Sequence, residues 1–265
     1  AGTRDANGTW NPAQLEALLR RSQALGIRVA GVAFMNEPNL IGLTGAPAGY
    51  SVADYARDYA TFARAMRRVA PSARLLGPGA VGGASLGPIA ALGGVKTLPA
   101  PELIAASQPP VDIYTYHHYG AVSQRCATTG PLSTTIADAH DPEWLTRTDE
   151  TRAYHAGLRD AHAPKAPIWV TETGVHRRTV ASSDLGAEQL SLMEECGAMA
   201  RQLRTWNSDG RVEAAFQYTF REDTAFKTGL ADSPLTRTFP VYGLWRAWGT
   251  AATTAPAPDA AACGA

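Results

Sequence analysis

Val29-Ala30-Gly31-Val32-Ala33-Phe34-Met35-Asn36-Glu37-Pro38-Asn39 is the stretch on which the fold turns. Val29 to Phe34 form a short apolar run of strand length, and the run breaks abruptly onto Asn36-Glu37-Pro38-Asn39. A strand that is apolar throughout has both faces buried, which is the mark of a parallel sheet covered by helices. Upstream, Asn11-Pro12 predicts a helix start. Gln14 stands at the capping-box position, Leu15, Leu18, Leu19 and Leu25 form an apolar stripe, and Gly26 is the stop.

The same alternation continues downstream. Ser51, with Asp54 three residues on, opens a helix carrying Tyr55, Tyr59, Phe62 and Met66 at helical spacing. Strands are predicted over 74–76, 111–116, 168–171 and 214–219, and helices over 101–107, 149–162, 184–205 and around Tyr242 to Trp248. This makes five strand-then-helix units and a leading helix, with no linker between them. The expected organisation is one catalytic domain over 1–250, the C-terminal part of a TIM barrel, followed by a disordered tail over 251–265 that is rich in Ala, Pro and Thr.

Composition narrows the function. The 265 residues are 45% hydrophobic, with 24 basic and 24 acidic side chains, so the formal charge is zero. That is too apolar for disorder, and it lacks the basic excess that nucleic acid demands. No uninterrupted apolar window reaches the length of a membrane span. Cys126, Cys196 and Cys263 show no zinc-ligand spacing, which leaves one disulfide and a free thiol, or three thiols. His117 and His118 are adjacent on a strand and point to opposite faces, so they do not chelate together, and no metal or cofactor is expected. Gly77-Pro78-Gly79-Ala80-Val81-Gly82 matches a dinucleotide-binding spacing, but the glycines and Pro88 that follow break the helix such a site requires, so a barrel loop is the expectation. His155 and His162, seven apart on one helix, are expected on its surface.

Polar residues gather where strands end: Asn36 and Glu37 after the first, His117, His118 and Tyr119 after the third, Glu172 after the fourth and Gln217 at the last. In a (β/α)₈ barrel that is the face where catalytic residues are found. Paired carboxylates there suit glycoside hydrolysis, one protonated to assist the leaving oxygen and the other ionised.

These residues resemble clan A retaining glycoside hydrolases, and within that clan most closely the heparanase-like family 79. The resemblance rests on Asn36-Glu37-Pro38-Asn39, Asp54-Tyr55, Leu75-Leu76-Gly77-Pro78, Thr115-Tyr116-His117-His118-Tyr119, Ile168-Trp169-Val170-Thr171-Glu172-Thr173, and Gln217 with Phe220. It implies a (β/α)₈ TIM barrel and a retaining double displacement, with Glu37 as acid/base and Glu172 as nucleophile. It further implies that Asn36 binds the sugar 2-hydroxyl, that Tyr119 holds Glu172, and that His117 and Gln217 line the sugar subsite. The chain departs from the family at Phe226, where a Tyr is usual, and in the loop Gly174-Val175-His176-Arg177-Arg178, so the expected substrate is a glycoside without commitment to a uronate. Trp144 is the candidate for stacking on a sugar.

The clan places its acid/base on strand four, whereas only 36 residues precede Glu37. At roughly 30 residues per β/α unit, about 90 residues would be needed for three earlier units. The expectation is therefore a barrel truncated to strands 4–8 with the preceding helix, its partners a carbohydrate and a missing amino-terminal segment or companion chain. Two alternatives stand beside it: another clan A enzyme, family 39-like or family 5-like, or an incomplete barrel without activity. An extracellular or secreted location is expected.

Overall fold

In the computed structural model, residues 4–6, 8–44, 46–84, 96–119, 142–175, 185–221, 229–250 and 260–264 are described. The elements run α1 (Ala13–Ala24), β1 (Gly31–Ala33), α2 (Val52–Val69), β2 (Arg74–Val81), α3 (Ala100–Ala106), β3 (Ile113–Tyr119), α4 (Pro142–His162), β4 (Ile168–Gly174), α5 (Leu185–Asn207), β5 (Val212–Gln217) and α6 (Pro240–Thr250). The five strands form one parallel sheet in the order β1-β2-β3-β4-β5. With a helix following each strand, this is the β/α alternation of a (β/α)₈ barrel, represented by five of its units.

Internal contacts divide the chain into two compact units: Ala1–Val81, Gly94–His117 and Ala156–Trp169 in the first, and Gly82–Gly93, His118–His155 and Val170–Ala265 in the second. In the first unit, β1 pairs with β2 from Gly31↔Arg74 to Ala33↔Leu76, and β2 pairs with β3 from Leu76↔Ile113 to Val81↔His117, with an irregularity between Pro78 and Ala80. The capping box at Ser51 forms as its sequence predicts: Asp54 N donates to Ser51 Oγ at 3.2 Å, and Ser51 N donates to Asp54 Oδ2 at 3.0 Å. Hydrogen bonds from Ser51, then Arg57, hold the Asp54 carboxyl below its ordinary range.

The inner face of α2 supplies the core of this unit. Tyr55, Tyr59, Phe62 and Met66 are all buried, each contributing about 1.5–3 kcal/mol by burial. Phe34 packs edge-on to Trp10 at 5.3 Å and against Phe62 at 5.4 Å. Beside this core lies a fully buried carboxylate, Asp58. It accepts from Arg4 Nη1 at 2.7 Å, Tyr50 Oη at 3.0 Å, Arg57 Nε at 2.9 Å and the Trp10 backbone N–H at 3.3 Å. Burial, reinforced by the Asp58 charge, pushes the Tyr50 hydroxyl well above its ordinary range.

In the second unit, one face of α4 carries the buried Thr148, Thr151 and His155, spaced three and four apart. His155, expected on the helix surface, is fully buried, because its Nε2 lies 2.7 Å from the Gly82 carbonyl at the end of β2. At the far end of α5, Asp209 accepts from Arg152 Nη1 at 2.7 Å and Arg211 Nε at 2.8 Å, and the Arg211 bonds foremost hold its carboxyl far below the ordinary range. Cys196 of α5 is disulfide-bonded to Cys263, which lies in a 3₁₀ turn over Ala260–Gly264, inside the stretch expected to be disordered. Cys126 lies outside the described residues.

Three further differences have physical causes. The α1 stripe is only partly buried: Leu19 is inside, while Leu18 and Leu25 are exposed. The strand β2 runs on to Val81, so Gly77 to Val81 form ladder rather than loop. Likewise β3 and β4 extend through Tyr119 and Glu172, because strand pairing overrides the polar character of those residues. No helix among the described residues is long and apolar enough to cross a membrane.

Candidate active site

The strands present the candidate residues one unit at a time. In the first unit, the chain leaves β1 and reaches Glu37 in a left-handed conformation, φ 44° and ψ 53°. For an L-residue with a long side chain, that region costs about 1–2 kcal/mol. A non-glycine residue held there marks a functional candidate. The Glu37 carboxylate (Oε1) lies 3.0 Å from Nδ1 of His117, whose side chain is buried while that of Glu37 keeps partial access to solvent. With Nδ1 protonated, the imidazole donates to the carboxylate and fixes its orientation.

In the second unit, the Tyr119 hydroxyl donates to Glu172 Oε1. Glu172 is half-buried. Gln217, at the end of β5, accepts through Oε1 from Trp245 Nε1 of α6 at 3.0 Å. The Trp245 indole thus fixes the Gln217 carboxamide.

Strand alternation assigns the three consecutive polar residues of β3 to different tasks. His117 and Tyr119 share one face of the strand, and His118 takes the other. His118 is buried, its Nε2 lies 3.0 Å from Thr148 Oγ1, and its ring meets Trp206 edge-on at 6.1 Å. Burial pushes its pKa down to about 4, so the ring is neutral near neutral pH. His118 is thus part of the packing of α4 and α5, not a second ligand beside His117.

Asn36 is exposed. Sequence reading leaves Asn39 without a role, although it belongs to the same motif; it is buried and spans both backbone groups of Val81. The side chain of Trp144, together with Arg177, Arg178 and Phe226, lies outside the described residues.

No family model and no characterised protein sequence matches the chain. Solved structures do. A monomeric β-xylosidase from Caulobacter crescentus CB15 is similar with a TM-score of 0.53 and 21% identity, over 85% of this chain and 43% of that one. The GH39 enzyme from Xanthomonas axonopodis pv. citri is similar at 0.51 and 18%, over 91% and 48%. A β-glucuronidase from Lactobacillus rhamnosus is similar at 0.56 and 10%, over 92% and 36%. The chain spans less than half the length of each of these structures. At such identities the likeness establishes a shared β/α fold, and glycoside hydrolases are prominent among the proteins that have it.

Proposed function

We propose that this chain carries the catalytic carboxylates of a retaining O-glycoside hydrolase, with Glu172 as nucleophile and Glu37 as acid/base. The observation that carries the reading is the Tyr119–Glu172 hydrogen bond at the carboxyl end of β4. A phenol donor fixes the orientation of the carboxylate, which is what a nucleophile needs. Glu37, beside an imidazole and still reached by solvent, suits a group that gives a proton and takes one back.

In the proposed reaction a Glu172 oxygen attacks the anomeric carbon while the bond to the leaving oxygen breaks and Glu37 delivers its proton there. Water then attacks the same carbon, Glu37 takes the water proton, and the bond to Glu172 breaks. Asn36 would hydrogen-bond the sugar 2-hydroxyl, and His117 and Gln217 would line the subsite. The β-xylosidase and GH39 neighbours make a family 39-like enzyme the alternative to the family 79 resemblance, and the β-glucuronidase neighbour keeps a uronate among the sugars to be tested. The disulfide Cys196–Cys263 supports an extracellular or secreted location, where such bonds persist.

The test uses the intact protein and activated 2-fluoro xylosides, glucosides and glucuronides, with the labelled peptide located by mass spectrometry. Labelling of Glu172 by one sugar series, and loss of at least ~10³-fold in kcat/KM for Glu172→Gln, is the expected result. Labelling of a different carboxylate, or full activity in Glu172→Gln, overturns the assignment.

A further inference from the structure

Asn39 closes a circuit around Glu37. Its side-chain Oδ1 accepts from the Val81 N–H at 3.0 Å, and its Nδ2 donates to the Val81 carbonyl at 2.8 Å. The carboxamide therefore stands in for a backbone ladder partner, since the β1–β2 ladder itself stops at Ala33↔Leu76. On its other side Val81 is in register with His117 of β3, and His117 Nδ1 reaches the Glu37 carboxylate at 3.0 Å. Asn39, Val81, His117 and Glu37 thus form a closed chain of contacts, with Glu37 and Asn39 only two residues apart. The circuit is anchored twice more. The Leu98 N–H donates to the Asn39 carbonyl at 3.1 Å. At Gly79, which takes φ +70°, a Cβ would lie 3.5 Å from the Met35 carbonyl, so the chain just before Glu37 runs close against β2.

Glu37 needs such an anchor. Its φ of 44° is unfavourable for any residue with a Cβ, and Pro38 biases the preceding residue towards extended backbone. Local preference would swing Glu37 out of the left-handed region and carry its carboxylate away from His117. Asn39 is 3% exposed, and its two bonds lie in a dry environment, where hydrogen bonds hold their geometry best.

We infer that Asn39 is a positioning residue for Glu37, holding the backbone of the acid/base carboxylate in its left-handed conformation against His117. The inference rests on the glycosidase reading for its kinetic consequence but not for its conformational one. Its kinetic signature is leaving-group dependence. A misplaced general acid matters for a phenyl glycoside, whose leaving group must be protonated, and hardly at all for a 2,4-dinitrophenyl glycoside, which leaves unassisted.

In the intact protein, Asn39→Ala is expected to lower kcat/KM about 10²-fold on the phenyl glycoside and to leave the dinitrophenyl glycoside within about threefold. Asn39→Asp keeps the acceptor for the Val81 N–H and loses the donor, so a smaller loss with the same leaving-group dependence is expected; it carries the test if the alanine variant does not fold. A second measurement needs no activity. With Asn39 present, Glu37→Gly should melt about 2–4 °C above Glu37→Ala, because only glycine is at ease at this φ. In the Asn39→Ala background that advantage should vanish or reverse. Equal kinetic losses on both glycosides, or a glycine advantage unaffected by removing Asn39, would overturn the inference. If the wild-type protein cleaves neither glycoside and no 2-fluoro sugar labels Glu172, the glycosidase reading falls, and the melting comparison alone decides the role of Asn39.

Discussion

The Tyr119 hydroxyl reaches from the last residue of β3 to the Glu172 carboxylate on β4. The bond couples a neutral donor to an acceptor that is charged when ionised, so its loss should matter more than that of an ordinary hydrogen bond. Such bonds are worth about 1.5–3 kcal/mol. Tyr119→Phe, which keeps the ring, is therefore expected to lower kcat/KM by roughly 10- to 100-fold on any glycoside that the intact protein turns over. Steady-state kinetics with an unchanged melting temperature would attribute the loss to the hydroxyl; undiminished turnover would remove Tyr119 from the mechanism.

Stability should vary with pH through His118. Its folded-state pKa of about 4 lies below the ordinary 6.5, so the unfolded chain binds the proton more readily. Stability is complete above about pH 6.5 and declines as pH falls towards 4, by roughly 3 kcal/mol in all. Urea midpoints measured across that window should show the slope, and His118→Gln should flatten it. A slope unchanged by the substitution would place the titration elsewhere.

The disulfide offers a third measurement. It joins positions 67 residues apart, and a loop of that size contributes about 4 kcal/mol in the chain-entropy view. Cys263→Ser, or reduction with dithiothreitol, should lower the melting temperature by roughly 10 °C. Equal melting curves with and without reductant would mean that packing of the Ala260–Gly264 turn, not the covalent link, holds this end of the chain.

A fourth concerns His155. Replacing it with Leu leaves the half-buried Gly82 carbonyl without its imidazole partner, a loss of about 1 kcal/mol. Chemical denaturation should report that loss, whereas the exposed-surface role expected from the His155–His162 spacing would give almost none.

Much of the fold is legible in the sequence because its strands are short apolar runs and α2 opens on a capping box. Ser51 with Asp54, and the spacing of Tyr55, Tyr59, Phe62 and Met66, locate α2 almost to the residue. Where reading stops short, pairing is the reason. Gly77 to Val81 look like a loop by composition, yet β3 offers them a ladder, and Glu172 stays in β4 for the same reason. Periodicity likewise cannot tell which face of α4 turns inward, since Thr148, Thr151 and His155 are individually polar. Of the site, the residue types at strand ends are visible in the sequence, while the contacts between them are long-range: Glu37 and His117 are 80 residues apart. Asn39 escapes notice because its importance lies in two bonds to backbone, which no side-chain pattern records.

The Asp58 cluster has a practical consequence for anyone reshaping the amino-terminal end. Arg4 and the Trp10 N–H are among the donors that make a fully buried carboxylate tolerable. Trimming the chain beyond Trp10, or fusing a domain so closely that it pulls Arg4 away, would remove two of that anion's donors and leave only Arg57 and Tyr50 to hold it beside the aromatic core. Designs that keep Arg4 to Trp10 intact and place their joints ahead of them should retain solubility and expression, and those that cut into the segment should lose both. Asp58 thus defines an inner limit for amino-terminal truncation that exposure and sequence simplicity would place several residues too far in.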